Sequence, residues 1–299
     1  MKTMLVLLKR NVKLFFNDKG MFFSSLITPI ILLVLYVSFL GNVYTDSLLM
    51  SVPAGYDVTE RLLDGFAGTQ LISSILAVSC VTVAFCSNLL MIQDKANGTL
   101  KDFTVSPVRS SVMSFSYYMA TFVSTLVVCL FATGISLAYI AIIGWYFSIT
   151  DVLMIILDVV ILCLFGVALS SVVNFFLSTQ GQMSAVGTIV SAGYGFLCGA
   201  YMPISQFSEG LRNVIMFFPG TYGTSLLRNH AMQGVLEEMK REGLPAEFIE
   251  SVKDSFDCNI YIFDAKVDIS LMYVIVGATI VVLLMAYTLM NFLKERRIK

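Results

Sequence analysis

Residues 94–111 read DKANGTLKDFTVSPVRSS and separate two long apolar runs. A plain loop needs none of the devices this stretch carries. Thr99-Leu100-Lys101-Asp102 fits a capping box, with Thr99 as N-cap and Asp102 at the third helical position. Gly98 just before it permits a sharp turn into the helix. Pro107 disfavours helix at Ser106. The pattern predicts a helix of about two turns, from Leu100 to Val105. Leu100 and Phe103, three apart, share one of its faces. Ser106-Pro107 then opens the next helix, with Pro107 at its first position. A helix this short is not stable alone in water, so it must pack on something. The residues alone leave two surfaces open: the membrane or the chain itself, and a socket on a partner.

The runs on either side set the class. Of the 299 residues 57% are hydrophobic and 13% charged, against about 25% charged in a soluble domain. Mean hydropathy is +0.84. Apolar runs of about 18 residues or more read as membrane spans. Six are predicted, over about 20–41, 68–92, 112–145, 152–177, 183–203 and 269–293. The fold class expected is therefore an all-α polytopic membrane protein in a single transmembrane domain spanning 1–299. Net charge is −1, which gives no reason to expect nucleic acid. The first residues do not make a signal peptide, because basic residues follow a short apolar run.

Lys and Arg in short flanks set orientation. They cluster in the N-terminal flank, in 93–111 and in the C-terminal tail. The alternating segment 42–67 holds only Arg61 against four acids, and 146–151 holds no base. Both termini and the 94–111 stretch are thus expected in the cytoplasm of a multi-pass cell-membrane protein. Residues 1–19 are too short to span. Leu5, Leu8, Val12 and Phe15/Phe16 recur at helical spacing among bases, which predicts an amphipathic helix on the membrane surface. Pro29 should kink the first span.

Beside this reading, the stretch resembles the cytoplasmic motif of type-2 ABC exporter permeases, through Asp94, Gly98, Thr99, Leu100, Phe103, Ser106 and Pro107. Gly199 to Pro203, then Leu211, Phe218, Pro219, Tyr222, Leu226 and Arg228, resemble a second block of that family. The order of elements agrees over essentially the whole chain. Ala96 and Lys101 depart from positions often acidic in the family, and 233–268 looks like an insert. The resemblance implies an N-terminal elbow helix and six spans. It makes 94–107 a coupling helix docked on a separate ATPase subunit, two copies per assembly. It implies a second permease copy, as homodimer or heterodimer, with ATP and magnesium held by the ATPase and no cofactor in this chain. No G-x-x-x-x-G-K-[ST] phosphate loop occurs, so the chain is not expected to be an enzyme by itself.

Candidate sites follow. Gly98, Thr99, Leu100, Asp102, Phe103 and Pro107 form the coupling set. Gly187, Ser191, Gly195 and Gly199 make a small-residue ladder on span five, suited to close packing or to a cavity or dimer seam. Span two carries many polar groups, some of which must face protein or water. Ser73, Ala77 and Cys80 are expected to face the interior, and all seven residues are candidates for a pathway or dimer interface. Asp158 lies deep in span four, where an acid faces a partner or water; a structural hydrogen bond and a coupling role are both open. Pro203, Pro219 and Tyr222 mark short re-entrant helices at an extracellular gate within 203–232. Residues 233–257 read as two short helices broken at Gly243-Leu244-Pro245. His230 reads as a surface residue. Five of the six cysteines fall in apolar runs, and no C-x-x-C occurs; they read as small buried apolar residues, with no metal site or redox pair.

The leading function is the permease subunit of an ATP-driven exporter. Uncharged, aromatic residues near the pathway (Phe85, Tyr194, Phe196) suit an amphiphile: a drug, lipid, lipopeptide or lipid-linked glycan. A channel or secondary transporter is the first alternative. A membrane-embedded enzyme or assembly factor is the second. Against them stand the lack of an inverted repeat of broken helices and of any His/Asp/Cys cluster in sequence.

Overall fold

A computed structural model describes residues 2–99, 110–262 and 265–298, with side chains described at all of these except 2, 110 and 294–298. The chain is overwhelmingly helical. Helix α1 (Lys2–Asn17) precedes α2 (Lys19–Leu35), which continues through a π-helical turn (Tyr36–Leu40) into α3 (Gly41–Ser51). Then come α4 (Glu60–Ala96), α5 (Ser110–Ile143), α6 (Ile149–Phe175) and α7 (Gln180–Leu197). A short α8 (Glu209–Ile215), a long α9 (Pro219–Arg241) and α10 (Ala246–Ser255) follow. A small hairpin, β1 (Ile260–Ile262) with β2 (Ala265–Val267), pairs antiparallel with Ile260 opposite Val267. Helix α11 (Ile269–Ile298) closes the chain. The hairpin qualifies the all-α expectation.

Among the described residues, five helical stretches are long and apolar enough to cross a membrane: Lys19–Ser51, Glu60–Ala96, Ser111–Ile143, Ile149–Phe175 and Ile269–Leu293. They match five of the six expected spans, and the first two are longer than expected. The 42–67 link is largely helical, since α3 runs to Ser51 and α4 begins at Glu60. The expected 183–203 span is α7, eighteen residues from Gln180 to Leu197, whose glycines, glutamines and serines keep it less apolar than the other five.

Helix α4 is the centre. Helices α2, α5, α6, α7 and α9 all pack on it, and nearly its whole length is buried. Its hydroxyls survive burial by bonding back to their own helix. Ser73 Oγ donates to the Gln70 carbonyl at 2.9 Å, Ser79 Oγ to Ile75 at 2.6 Å, and Thr82 Oγ1 to Val78 at 3.0 Å. Asn88 instead reaches across, donating to Ser170 and Ser171 of α6 at 3.1 Å each.

Part of the expectation for the 203–257 region fails. Residues 219–232, expected as short pieces, and the first short helix of the insert are one 23-residue helix, α9, starting with Pro219 as its first helical residue. Before it stand two short elements, a 3-10 turn (Ile204–Gln206) and α8 with seven residues. The Gly243-Leu244-Pro245 break does stand between α9 and α10, with Gly243 at φ +89°. Packing fixes α9 tightly. A Cβ at Gly234 would lie 1.9 Å from the Tyr146 carbonyl oxygen, a backbone atom that cannot swing aside. Gly234→Ala should therefore lower stability by about 1–3 kcal/mol, read as a drop in the thermal unfolding midpoint of detergent-purified protein. Gly277→Ala, where an added Cβ meets nothing within 4 Å, should leave that midpoint unchanged or slightly raised.

Candidate functional site

An open groove of about 1120 Å³ runs along one side of the bundle. Helices α2 and α3 form one wall and α7 the other, with α4 as floor. Ile27, Thr28, Cys86, Gln93, Gly187 and Thr188 line it. Asp18 stands at one end and Pro203 and Gln206 at the other. Between those ends the lining is apolar or uncharged polar, with no charged side chain among the described residues. Such a surface accepts apolar chains and uncharged polar groups and penalises ions. Helix α7 is loosely covered: a Cβ built on Gly181, Gly187 or Gly193 meets nothing within 4 Å.

At the end carrying both termini, two charged residues at the end of α4 tie neighbouring helices together. Asp94, at the end of α4, takes both guanidinium nitrogens of Arg10 of α1, at 2.7 and 3.1 Å. Tyr117 of α5 donates to the same carboxylate. The bidentate form is the strong geometry for this pair. Lys95 donates to the Phe175 and Leu177 carbonyls at 3.1 Å each, satisfying the exposed end of α6. One turn of α4 thus holds α1, α5 and α6. Asn97 ends α4, Gly98 takes φ +80°, and Thr99 is helical. Gly98 therefore makes the sharp turn expected of it. Leu100, Asp102, Phe103 and Pro107, and so the expected two-turn helix, lie outside the described residues.

At the opposite end α9 carries two buried polar centres. Arg228 is fully buried. Its Nη1 donates to Asp257 Oδ2 at 2.8 Å and its Nη2 to the Gly199 carbonyl at 2.5 Å. Turning the Gln70 amide over gives two further acceptor contacts at 3.2 and 3.3 Å. Asp257, at φ 56°, also accepts from the Ile204 and Ser205 amides at 2.7 and 3.4 Å. This centre ties α4, α9, the end of α7 and the 203–206 turn together. Two residues along α9, His230 Nδ1 lies 2.6 Å from Asp158 Oδ2, and Tyr273 of α11 donates to Asp158 Oδ1 at 2.5 Å. His230 is only 7% exposed, which overturns the surface reading: its partner lies on α6, out of sight of local sequence. Cys258 is buried beside this cap, and burial pushes its thiol up to about 12, so it stays protonated and inert at neutral pH.

The remaining candidates divide between groove and core. Gly187 and Ser191 line the groove. Gly195 instead faces the Tyr201 ring, and Gly199 sits at φ +73° against Ile204. Ser73, Ala77 and Cys80 are fully buried within the chain; the groups α4 offers the groove are Cys86, Leu89 and Gln93. Pro203 borders the groove. Pro219 begins α9, and Tyr222 is buried, donating to the Met216 carbonyl at 2.6 Å. Phe196 lines the groove, whereas Phe85 and Tyr194 are core.

Removing one partner of the buried ion pair should be costly. Arg228→Met strands Asp257 and should cost about 3–5 kcal/mol. Adding Asp257→Asn should recover a large part of that, because the uncompensated charge is gone. A double-mutant cycle of thermal unfolding in detergent measures the coupling; strict additivity would deny that the two act as a pair.

No curated protein matches the chain. The family model described as "ABC-2 type transporter" matches residues 3–231, which run from α1 through the Arg228 and His230 centres of α9. The segment beyond, with α10 and the hairpin, lies outside the match. The five apolar helices, the amphipathic α1 and the extent of that match lead to one conclusion: the chain belongs to the ABC-2 type transporter family.

Proposed function

We propose that the chain is the membrane-spanning subunit of an ATP-driven exporter. In this reading the groove between α2 and α7 is half of a translocation pathway, and a second permease copy closes it. The observation that carries the reading is the groove itself: open along its length, uncharged between its ends among the described residues, and bordered on α7 by the small residues Ser184, Gly187, Ser191 and Ala192. Small faces allow close helix approach in lipid. An uncharged apolar channel with scattered hydroxyls suits an amphiphile such as a drug, lipid, lipopeptide or lipid-linked glycan. Helix α7, with about 27 Å of length, serves as the sixth span, and both termini face the cytoplasm of the cell membrane.

Two ATPase subunits supply the energy, holding ATP and magnesium themselves. They dock on the 94–107 stretch through Leu100 and Phe103. The Asp94–Arg10–Tyr117 and Lys95 contacts support this coupling, because they tie the end of α4, from which that stretch departs, to α1, α5 and α6. Pro203, beside the groove at the far end, belongs to an extracellular gate. Pro219 and Tyr222 support that gate from α9.

Apolar anchors at docking surfaces typically contribute about 2 kcal/mol or more each. Leu100→Asp and Phe103→Asp should therefore each weaken capture of the ATPase about thirty-fold and uncouple its ATP hydrolysis from transport. The chain should still insert with all its spans. The measurements are copurification with a Walker-motif ATPase and substrate-stimulated ATPase activity of the reconstituted complex. A doubly substituted chain that transports normally contradicts the docking reading, and flux through the purified chain without ATP favours a channel.

A further inference from the structure

Cys80, Cys129 and Cys163 are far apart in sequence and sit near the middle of α4, α5 and α6. Their Sγ atoms all lie within 4.8 Å of one another. All three residues are fully buried. The meeting has a packing cause. Gly166 lets α6 approach α4 so closely that an added Cβ would stand 2.7 Å from the Cys80 carbonyl oxygen. Cys163 lies one turn before Gly166, on the same face, so the close approach brings its thiol to Cys80. Cys129 meets them from α5, which packs on both helices.

Three sulfurs held at about 2.3 Å around one ion in a plane stand about 4.0 Å apart. The observed cluster reaches that spacing with movements under about 1 Å. Two requirements narrow the ion. All-sulfur ligation selects soft ions over oxygen-seeking calcium or magnesium. Zinc completes four ligands, and among the described residues no His, Asp or Glu joins this group; Asp158, the nearby acid, is held by His230 and Tyr273. A soft ion content with three sulfurs is the class that remains, and because cysteine ligates as thiolate, loading releases the thiol protons to solvent.

We propose that Cys80, Cys129 and Cys163 form a trigonal all-sulfur site for a soft monovalent cation of the copper(I) class. The site is separate from the groove, where Cys86 is the cysteine among the lining residues. It is therefore not a station for cargo. A bound ion joins α4, α5 and α6 at mid-membrane and makes their relative positions sensitive to the thiophilic ions the cell contains.

The test uses full-length protein in detergent, without oxygen, and copper(I) buffered by a chromogenic chelator. About one copper(I) per chain should be retained against the chelator. Cys129→Ser should abolish that retention, and Cys86→Ser and Cys258→Ser should not alter it. X-ray absorption of the copper-loaded unsubstituted protein should give a shell of three sulfurs at about 2.3 Å. This second measurement decides the matter even if Cys129→Ser does not fold. Retention unchanged in a folded Cys129→Ser chain, a shell containing nitrogen or oxygen, or no retention at all would overturn the proposal. Transport and ATPase docking play no part in these readouts.

Discussion

A polar group inside a bilayer has no water to bond, so it must be satisfied within the protein. Helix α4 concentrates that constraint. It carries Gln70, Ser73, Ser74, Ser79, Thr82, Ser87, Asn88 and Asp94, all buried. The serines and threonines can be content with their own helix; Asn88, Gln70 and Asp94 cannot. Asn88 fixes α6, Asp94 fixes α1 and α5, and Gln70 with Ser74 lies against the Arg228 guanidinium of α9. The rest of the bundle is arranged so that these partners arrive, and the apolar contacts between them fill the space that remains.

Helix α9 answers the same constraint from the other side. Its arginine and histidine are buried because acids from remote segments, Asp257 and Asp158, meet them with short bonds. A buried ion pair is a poor source of net stability but a strong enforcer of one arrangement, since breaking it strands a charge. The pair at Arg228 defines where the 203–206 turn and the end of α7 sit, and hence the far border of the groove. The groove is the side of the bundle left uncovered after these demands are met.

Much of this was legible in the sequence. Long apolar runs announced five spans, and base distribution with spacing announced the amphipathic α1. Gly98 announced the turn that ends α4. What stayed hidden depended on pairs distant in sequence. His230 looks solvent-facing because nothing near it in sequence is an acid, yet its partner is 72 residues away on α6. Helix α9 looked fragmented because Pro219, Gly223 and the polar Arg228-Asn229-His230 run resemble loop residues. Pro219 in fact starts the helix, and the polar run is its buried face. The cysteines read singly as apolar packing residues, and only three-dimensional proximity gathers three of them. Span two was correctly expected to bury polar groups, but the face it presents to the groove is that of Cys86 and Gln93, not of Ser73 and Cys80.

The central claim is that two copies of this chain share one pathway across the α2–α7 groove. Thr188 lines that groove and Val281 lies exposed on α11. The direct measurement places a single cysteine at either position, in a Cys86→Ser background, and treats native membranes with a short bifunctional maleimide. The account predicts a chain-to-chain product through Thr188→Cys and none through Val281→Cys. Linking through Val281→Cys without Thr188→Cys, or through neither, would contradict it.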